Sequence, residues 1–233
     1  MYLQKVILTI SIIFLSILNV KGGEIMSVDN IKWLGHDTFK IVENGVTIYT
    51  DPFKINSDEK ADIIFISHGH YDHCSPDDVA KIASSSTTII TTPDCAKQLK
   101  GNIKTVKPGD KINVDKLEVQ AVPAYNINKD FHPKANNWVG FVFSISNKKY
   151  YFTGDTDYIP EMDQLKEEHI DIAFIPVSGT YVMDANEAVK ATLAIMPKIA
   201  IPMHYGSIVG SKSDAEQFKE KLKGKGKVEV HIF

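Results

Sequence analysis

Residues 67–74 read SHGHYDHC, which sets His68, His70 and His73 beside Asp72 in a chain that has eight histidines in all. Imidazoles also serve as hydrogen-bonded core or surface groups. At this chain's own His and Asp frequencies, however, the order His-x-His-x-Asp-His arises by chance with odds on the order of one in a thousand. Just upstream, ADIIFIS (61–67) is a short isoleucine-rich run that predicts a buried strand. Just downstream, SPDDVAKIA (75–83) predicts a helix capped by Ser75 with Pro76 at its first position. Four ligand-type side chains thus occupy the loop leaving a strand, where α/β proteins hold reactive groups on a rigid sheet. Imidazoles with a carboxylate suit Zn2+, and also Fe2+ or Mn2+, whereas calcium and magnesium prefer shells of oxygen.

Reading outward, NIKWL (30–34), TFKIV (38–42) and VTIYT (46–50) predict an antiparallel opening, with ENG (43–45) as a hairpin turn. TTIITT (87–92) predicts another strand, followed by a short helix ending at Gly101. Residues 103–124 read as strands parted by the turn KPGD, and residues 138–156 as two more around SNKK. A helix near 160–167 leads into the buried strand IDIAFIPV (170–177). Asp184 with Glu187, and Ser213 with Glu216, form capping-box patterns ahead of two further helices, and KVEVHIF (227–233) closes the chain as a strand. Each half runs strands first and then alternates helices with strands. That order predicts two sheets packed face to face with helices outside, an α/β four-layer αββα sandwich, with residues 26–233 as one domain.

A formal net charge of −3 gives no electrostatic reason to expect nucleic-acid binding, and the lysine-rich KEKLKGKGK (219–227) reads as a solvated helix end. Two cysteines, Cys74 and Cys95, exclude a disulfide framework and a cysteine-rich zinc site. Cys74 either lines the histidine loop or is a plain buried thiol.

A two-metal site needs more ligands than one loop carries. Asp155 in YYFTGDTD (150–157) and His204 in IAIPMHYG (199–206) also follow strands directly. A carboxylate can bridge two cations, which makes Asp155 the natural shared ligand.

SHGHYDH (67–73), GDTD (154–157) and PMHYG (202–206), in this order and at these separations, resemble the metallo-β-lactamase superfamily over about residues 29–233. WLGHDTF (33–39), TDPF (50–53), VPAYN (122–126), FHPK (131–134) and GDTDYIPEM (154–162) resemble its branch of small metal-dependent hydrolases that includes ascorbate-phosphate lactonase. The resemblance implies the metallo-β-lactamase αββα fold and two metal ions, zinc foremost, with Mn2+ or Fe2+ as alternatives. It gives His68 and His70 to the first metal, Asp72, His73 and His204 to the second, and Asp155 to both. It also implies catalysis by Asp72 and Asp155, with Asp72 orienting a hydroxide. The family's further histidine on the first metal has no counterpart at the aligned position, which is Asn126. Either His132, six residues on, reaches in, or an asparagine or water completes the shell. His36 and Asp51 are candidates to orient ligands, His36 equally an ordinary buried histidine. His169 and His231 read as structural. Tyr125, Gly179, Thr180 and Tyr181 either shape the pocket or are turn and core residues.

The function this implies is hydrolysis of a small ester, lactone or phosphodiester by metal-activated water, and no GxSxG turn offers an acyl-enzyme nucleophile instead. The alternatives are a di-iron redox protein or a non-catalytic metal-binding module of the same fold. Redox members carry a glutamate where this chain has His70, together with a flavin-binding domain for which the chain has no room. The expected partner is a small-molecule substrate, with no nucleic acid and no stable membrane association unless residues 1–20 are retained; a homo-oligomer is left open.

The first residues, MYLQKVILTISIIFLSILNV, carry an apolar run of the length of a signal-peptide core, short for a membrane span. KGGEIM (21–26) can equally be encoded by a ribosome-binding sequence just ahead of an ATG. Residues 1–25 then read as translated leader and the protein as cytoplasmic from Met26, the alternative being export or anchoring through residues 1–20. Terminal peptide mapping of the native protein is expected to find a start at Met26 or Ser27; peptides from residues 1–20, or a signal-processed terminus, would overturn that reading.

Overall fold

A strand covered on both faces reads as an unbroken apolar run, and Ile63–Ile66 is such a run: all four of its residues are buried. Side chains alternate across a strand. Ile63 and Phe65 join one hydrophobic cluster while Ile64 and Ile66 join another, so two different layers must cover this sheet. In the computed structural model, which describes residues 27–233, that requirement is met by a sandwich of two sheets. The readings of residues 1–25 and of Met26 lie outside the described residues.

The first sheet is six-stranded and runs in chain order: β1 (Ile31–Gly35), β2 (Thr38–Glu43), β3 (Val46–Thr50), β4 (Ile63–Ile66), β5 (Thr88–Thr91) and β6 (Asn102–Thr105). Strands β1 to β3 pair antiparallel and β3 to β6 parallel. The second sheet repeats the plan with β7 (Lys111–Val114), β8 (Leu117–Pro123), β9 (Val139–Ile145), β10 (Lys148–Phe152), β11 (Ile172–Pro176), β12 (Ile199–Met203) and β13 (Glu229–Val230). It is antiparallel from β7 to β10 and parallel from β10 to β13.

Parallel neighbours require a crossover; residues 51–62 make the one between β3 and β4 without a helix, and helices supply the others. In the first sheet these are α1 (Pro76–Ile82) and α2 (Pro93–Ala96); in the second they are a 3-10 helix (Pro160–Glu168), α3 (Ala185–Ile195) and α4 (Lys212–Leu222). Tyr150, Phe152, Ile172 and Phe174 face the first sheet, and Tyr151, Ala173 and Ile175 face the helices. Helix, sheet, sheet, helix is the four-layer order expected from the sequence.

Some boundaries differ from expectation. The last helix is capped by a reciprocal Ser211–Asp214 pair instead of Ser213–Glu216. It starts at Lys212, which puts the Ser213 hydroxyl inside the first turn, past the capping position. Residues 160–168 wind as a 3-10 helix, in which residues three apart share a face, and Met162 and Leu165 are buried together. The helix after β5 stops at Ala96 well short of Gly101, and β13 keeps only two paired residues of the expected last strand.

Phe65 lies at the middle of the inter-sheet layer, its ring 4.7 Å from Phe141 and 4.9 Å from Phe143 of the opposite sheet. Phe65→Ala is expected to cost about 3–5 kcal/mol in urea unfolding, the range for emptying a buried phenylalanine site. A loss below about 1 kcal/mol would contradict the packing described.

Candidate metal centre

The loops leaving the carboxyl ends of β1, β3, β4, β8, β10 and β12 meet over one edge of the sandwich, and they bring the sequence-predicted residues together. His68, His70 and His132 each offer a ring nitrogen within 4.8 Å of the others. His68 Nε2 faces His70 Nδ1 at 3.0 Å. His132 and Asn126, between which the sequence leaves the choice open, are bonded to each other. His132 Nδ1 donates to Asn126 Oδ1 at 2.9 Å, which turns His132 Nε2 inward to 3.2 Å from Asp155 Oδ2. Asn126 is itself held by donating to Asp157 Oδ1 and to the Tyr181 carbonyl. It therefore orients the histidine, as a carbonyl oxygen on the far nitrogen of a ligand imidazole does elsewhere.

A second grouping gathers around the same aspartate. His204 Nε2 lies 3.1 Å and His73 Nε2 3.4 Å from Asp155 Oδ2, and Asp72 Oδ2 lies 3.6 Å from His73 Nε2. The outer nitrogens are anchored here too: His204 Nδ1 bonds Ser178 Oγ at 3.0 Å and His73 Nδ1 bonds Asp51 Oδ2 at 2.7 Å. Asp51 also accepts from the Ser67 N–H and the Ser67 hydroxyl, and that hydroxyl meets His68 Nδ1 at 2.8 Å. His36 Nε2 lies 3.1 Å from Asp72 Oδ2. Asp51 and His36 thus each contact one of the candidate ligands they were considered to orient.

Burial lowers the pKa of His68 and of His70, keeping lone pairs free to ligate. For His73 and His204 burial is again the largest cause and pulls the same way, but the carboxylates around them together outweigh it, Asp155 and Asp51 for His73 and Asp155 and Asp37 for His204; His73 is held well above its ordinary value and His204 is raised to about 9. Burial would raise Asp155, yet His204 and His73 hold it well below the usual carboxylate range. Asp155 is thus a buried negative charge, which a bound cation would compensate in place of protons on His73 and His204. Nε2 of His73, His132 and His204 and Oδ1 of Asp155 are buried with no hydrogen-bond partner among the described residues. Nitrogen and carboxylate donors without protein partners, turned toward one carboxylate oxygen, fit a bound divalent cation.

The backbone is bent to reach this arrangement. His36, Asp51 and His204 are left-handed, with φ of 51°, 32° and 60°. Such conformations cost on the order of 1–3 kcal/mol each and collect at functional sites. The His36 carbonyl accepts from the Trp33 indole and from the His204 N–H, tying the two sheets together at the strained turn. Beside Asp155, Gly154 has φ 61°, and a Cβ there would come 2.9 Å from Ser67 Cβ.

Other singled-out residues lie elsewhere. Cys74 is a buried thiol packed with Cys95 under α1. Tyr125 belongs to the helix-side core of the second sheet, its hydroxyl bonded to Glu161. Sequence reasoning missed Ser67, Ser178 and Asp37 as parts of the site. Ser67 lies within the histidine motif and Asp37 directly follows His36 in WLGHDTF, but neither was singled out, and nothing local marks Ser178. Also unforeseen is Trp138, whose ring lies 4.9 Å from that of His68 and 4.8 Å from that of His70.

Among the described residues no helix is long and apolar enough to cross a membrane. Residues 30–204 match the beta-lactamase superfamily domain. The chain is 34% identical over 211 residues to a UPF0173 metal-dependent hydrolase of Carboxydothermus hydrogenoformans, covering 84% of this chain and 93% of that one. Among solved structures, a proposed metal-dependent hydrolase from Parabacteroides distasonis is 34% identical with a TM-score of 0.77, over 87% of this chain and 91% of that one. Igni18, a metallo hydrolase from Ignicoccus hospitalis, shares the fold at 23% identity and a TM-score of 0.73, over 87% and 94% of the two chains. On its sequence and its fold, the chain belongs to the beta-lactamase superfamily, as one of its metal-dependent hydrolases.

Proposed function

We propose that this hydrolase holds two divalent cations, zinc foremost with Mn2+ or Fe2+ as alternatives, and uses water to open a small ester or lactone. His68, His70 and His132 would hold one cation, Asp72, His73 and His204 the other, and Asp155 both. The observation that carries this reading is the set of three unpartnered imidazole nitrogens turned to within 3.1–3.4 Å of a single oxygen of Asp155. Cations bound there would act as Lewis acids and lower the pKa of water from 15.7 to about 7.

The protein's own groups then have definite tasks. Asp72 sits at the rim, its side chain 14% exposed, with Oδ2 engaged by His36, which leaves Oδ1 to orient a water and accept its proton. Trp138 lies against His68 and His70, and its indole N–H is fixed on Asp94 Oδ2 at 2.8 Å, so it packs one side of the first grouping while His70 stays partly exposed.

The chain contains no arginine, the residue that meets phosphate with a planar two-pronged fork. Lys129, on the loop between Asn126 and His132, is already paired with Asp157 and Glu187. Both facts favour an uncharged lactone or ester over the phosphodiester that the sequence left open.

Elemental analysis of the purified chain is expected to give about two divalent cations per chain, and chelation to abolish hydrolysis across a panel of lactones, esters and phosphodiesters. His68→Ala and Asp155→Ala are expected to cut kcat/KM by more than about 100-fold, beyond the range for residues that only orient ligands. Activity that survives chelation would sink the reading. Asp51→Asn should leave the fold intact but weaken metal binding about 10–100-fold, measured by competition with a chromogenic chelator. Unchanged affinity would show that the Asp51 carboxylate does not hold the site together.

A further inference from the structure

Asp37 follows His36 in the turn between β1 and β2, and its side chain is wholly inaccessible to solvent. Its backbone is pinned, since its carbonyl accepts from the Thr50 hydroxyl at 2.8 Å. Its carboxylate is not: neither oxygen has a hydrogen-bond partner among the described residues. The nearest basic atom, His73 Nδ1, lies 3.8 Å from Asp37 Oδ2, beyond hydrogen-bond reach, and is already bonded to Asp51. A fully buried carboxylate with no hydrogen bond, whose nearest cationic atom at 3.8 Å is already committed to Asp51, is costly, and buried charges are normally retained in close pairs or on metal ions.

What surrounds it is a set of ligands. One donor atom from each of Asp37, His73, Asp155 and His204 lies within 4.8 Å of the others, and all four residues are buried. Donors on opposite sides of one cation stand about 4 Å apart, two bonds of about 2.0–2.2 Å each. Asp37 comes from the amino-terminal hairpin of the first sheet, outside every motif that points to the other ligands.

We propose that Asp37 is a further oxygen ligand of the cation held by His73, His204 and Asp155. Resting on the two-cation reading above, the inference makes the two sites unlike. His68, His70 and His132 form a nitrogen-rich site suited to zinc. The other gains a second buried carboxylate beside Asp155, and carboxylate oxygen raises affinity for Mn2+ relative to zinc.

The test uses the full chain, stripped by chelation, loaded with one equivalent of Zn2+ and then titrated with Mn2+ or with a second equivalent of Zn2+. Bound Mn2+ is read by electron paramagnetic resonance and total metal by elemental analysis. Asp37→Asn is expected to leave the first equivalent unchanged, weaken the second at least tenfold, and lower Mn2+ binding more than zinc binding. Without metal, its unfolding midpoint should equal or exceed that of the unsubstituted protein, because a buried carboxylate crowded against Asp155 and Asp51 has been removed; with metal, the order should reverse. Asp37→Ser serves the same purpose should the asparagine variant not fold. Second-equivalent binding that matches the unsubstituted protein, equal loss of both equivalents, or a lowered midpoint in the metal-free variant would each overturn the proposal. Failure of the unsubstituted chain to take up a second cation would instead overturn the two-cation reading on which it rests.

Discussion

The centre depends on one buried carboxylate. Asp51 leaves β3 in a left-handed conformation and accepts three hydrogen bonds, from the Ser67 N–H, the Ser67 hydroxyl and His73 Nδ1. Through Ser67 it steadies His68 of the first grouping, and directly it steadies His73 of the second. Rings whose outer nitrogens are committed in this way present their inner nitrogens in one fixed tautomer and direction. Asn126 does the same for His132, and Ser178 for His204. The ligand set is therefore preorganised by a surrounding shell of oxygens drawn from β3, β4, β8 and β11, and a cation would find its donors already aimed.

The hydrophobic layers make that shell rigid. Phe39 of the first sheet meets Phe174 of the second at 4.4 Å, and Phe65 meets Phe141 and Phe143, so the two sheets cannot shift relative to one another without opening a packed aromatic layer. Close-packed interiors transmit such constraints with little give. The strained turns at His36, Asp51 and His204 are tolerable only because this packing holds the strands that feed them. Stability stored in the sandwich is thus spent locally at its edge, where function needs backbone in unusual conformations.

Asymmetry between the two groupings bears on reactivity. The first is three imidazoles beside an indole; the second mixes imidazoles with carboxylates, and of its members Asp72 is the one that reaches solvent. A water held at the rim by Asp72 would have its attack line toward a substrate entering from the open side. The absence of arginine and the pairing of Lys129 with Asp157 and Glu187 are what support the proposed preference for an uncharged carbonyl substrate.

Local patterns in the amino-acid order determined the layered architecture and marked most of the residues that gather at the candidate centre. The alternation of Ile63, Ile64, Phe65 and Ile66 between two covering layers follows from strand geometry alone, and SHGHYDH, Asp155 and His204 each announce themselves by following a buried strand. The tertiary structure decided the rest. That His132 turns inward while Asn126 braces it depends on a loop fold that pairs residues six apart, and the spacing permits either arrangement. Ser178 reaches His204 from a different strand end of the second sheet, and Asp37 approaches His73 from a different strand end of the first, and no periodicity within one segment encodes a contact between segments. Chain order specifies which side chains a strand end exposes; only the packing of two sheets settles which of those exposed groups share a pocket.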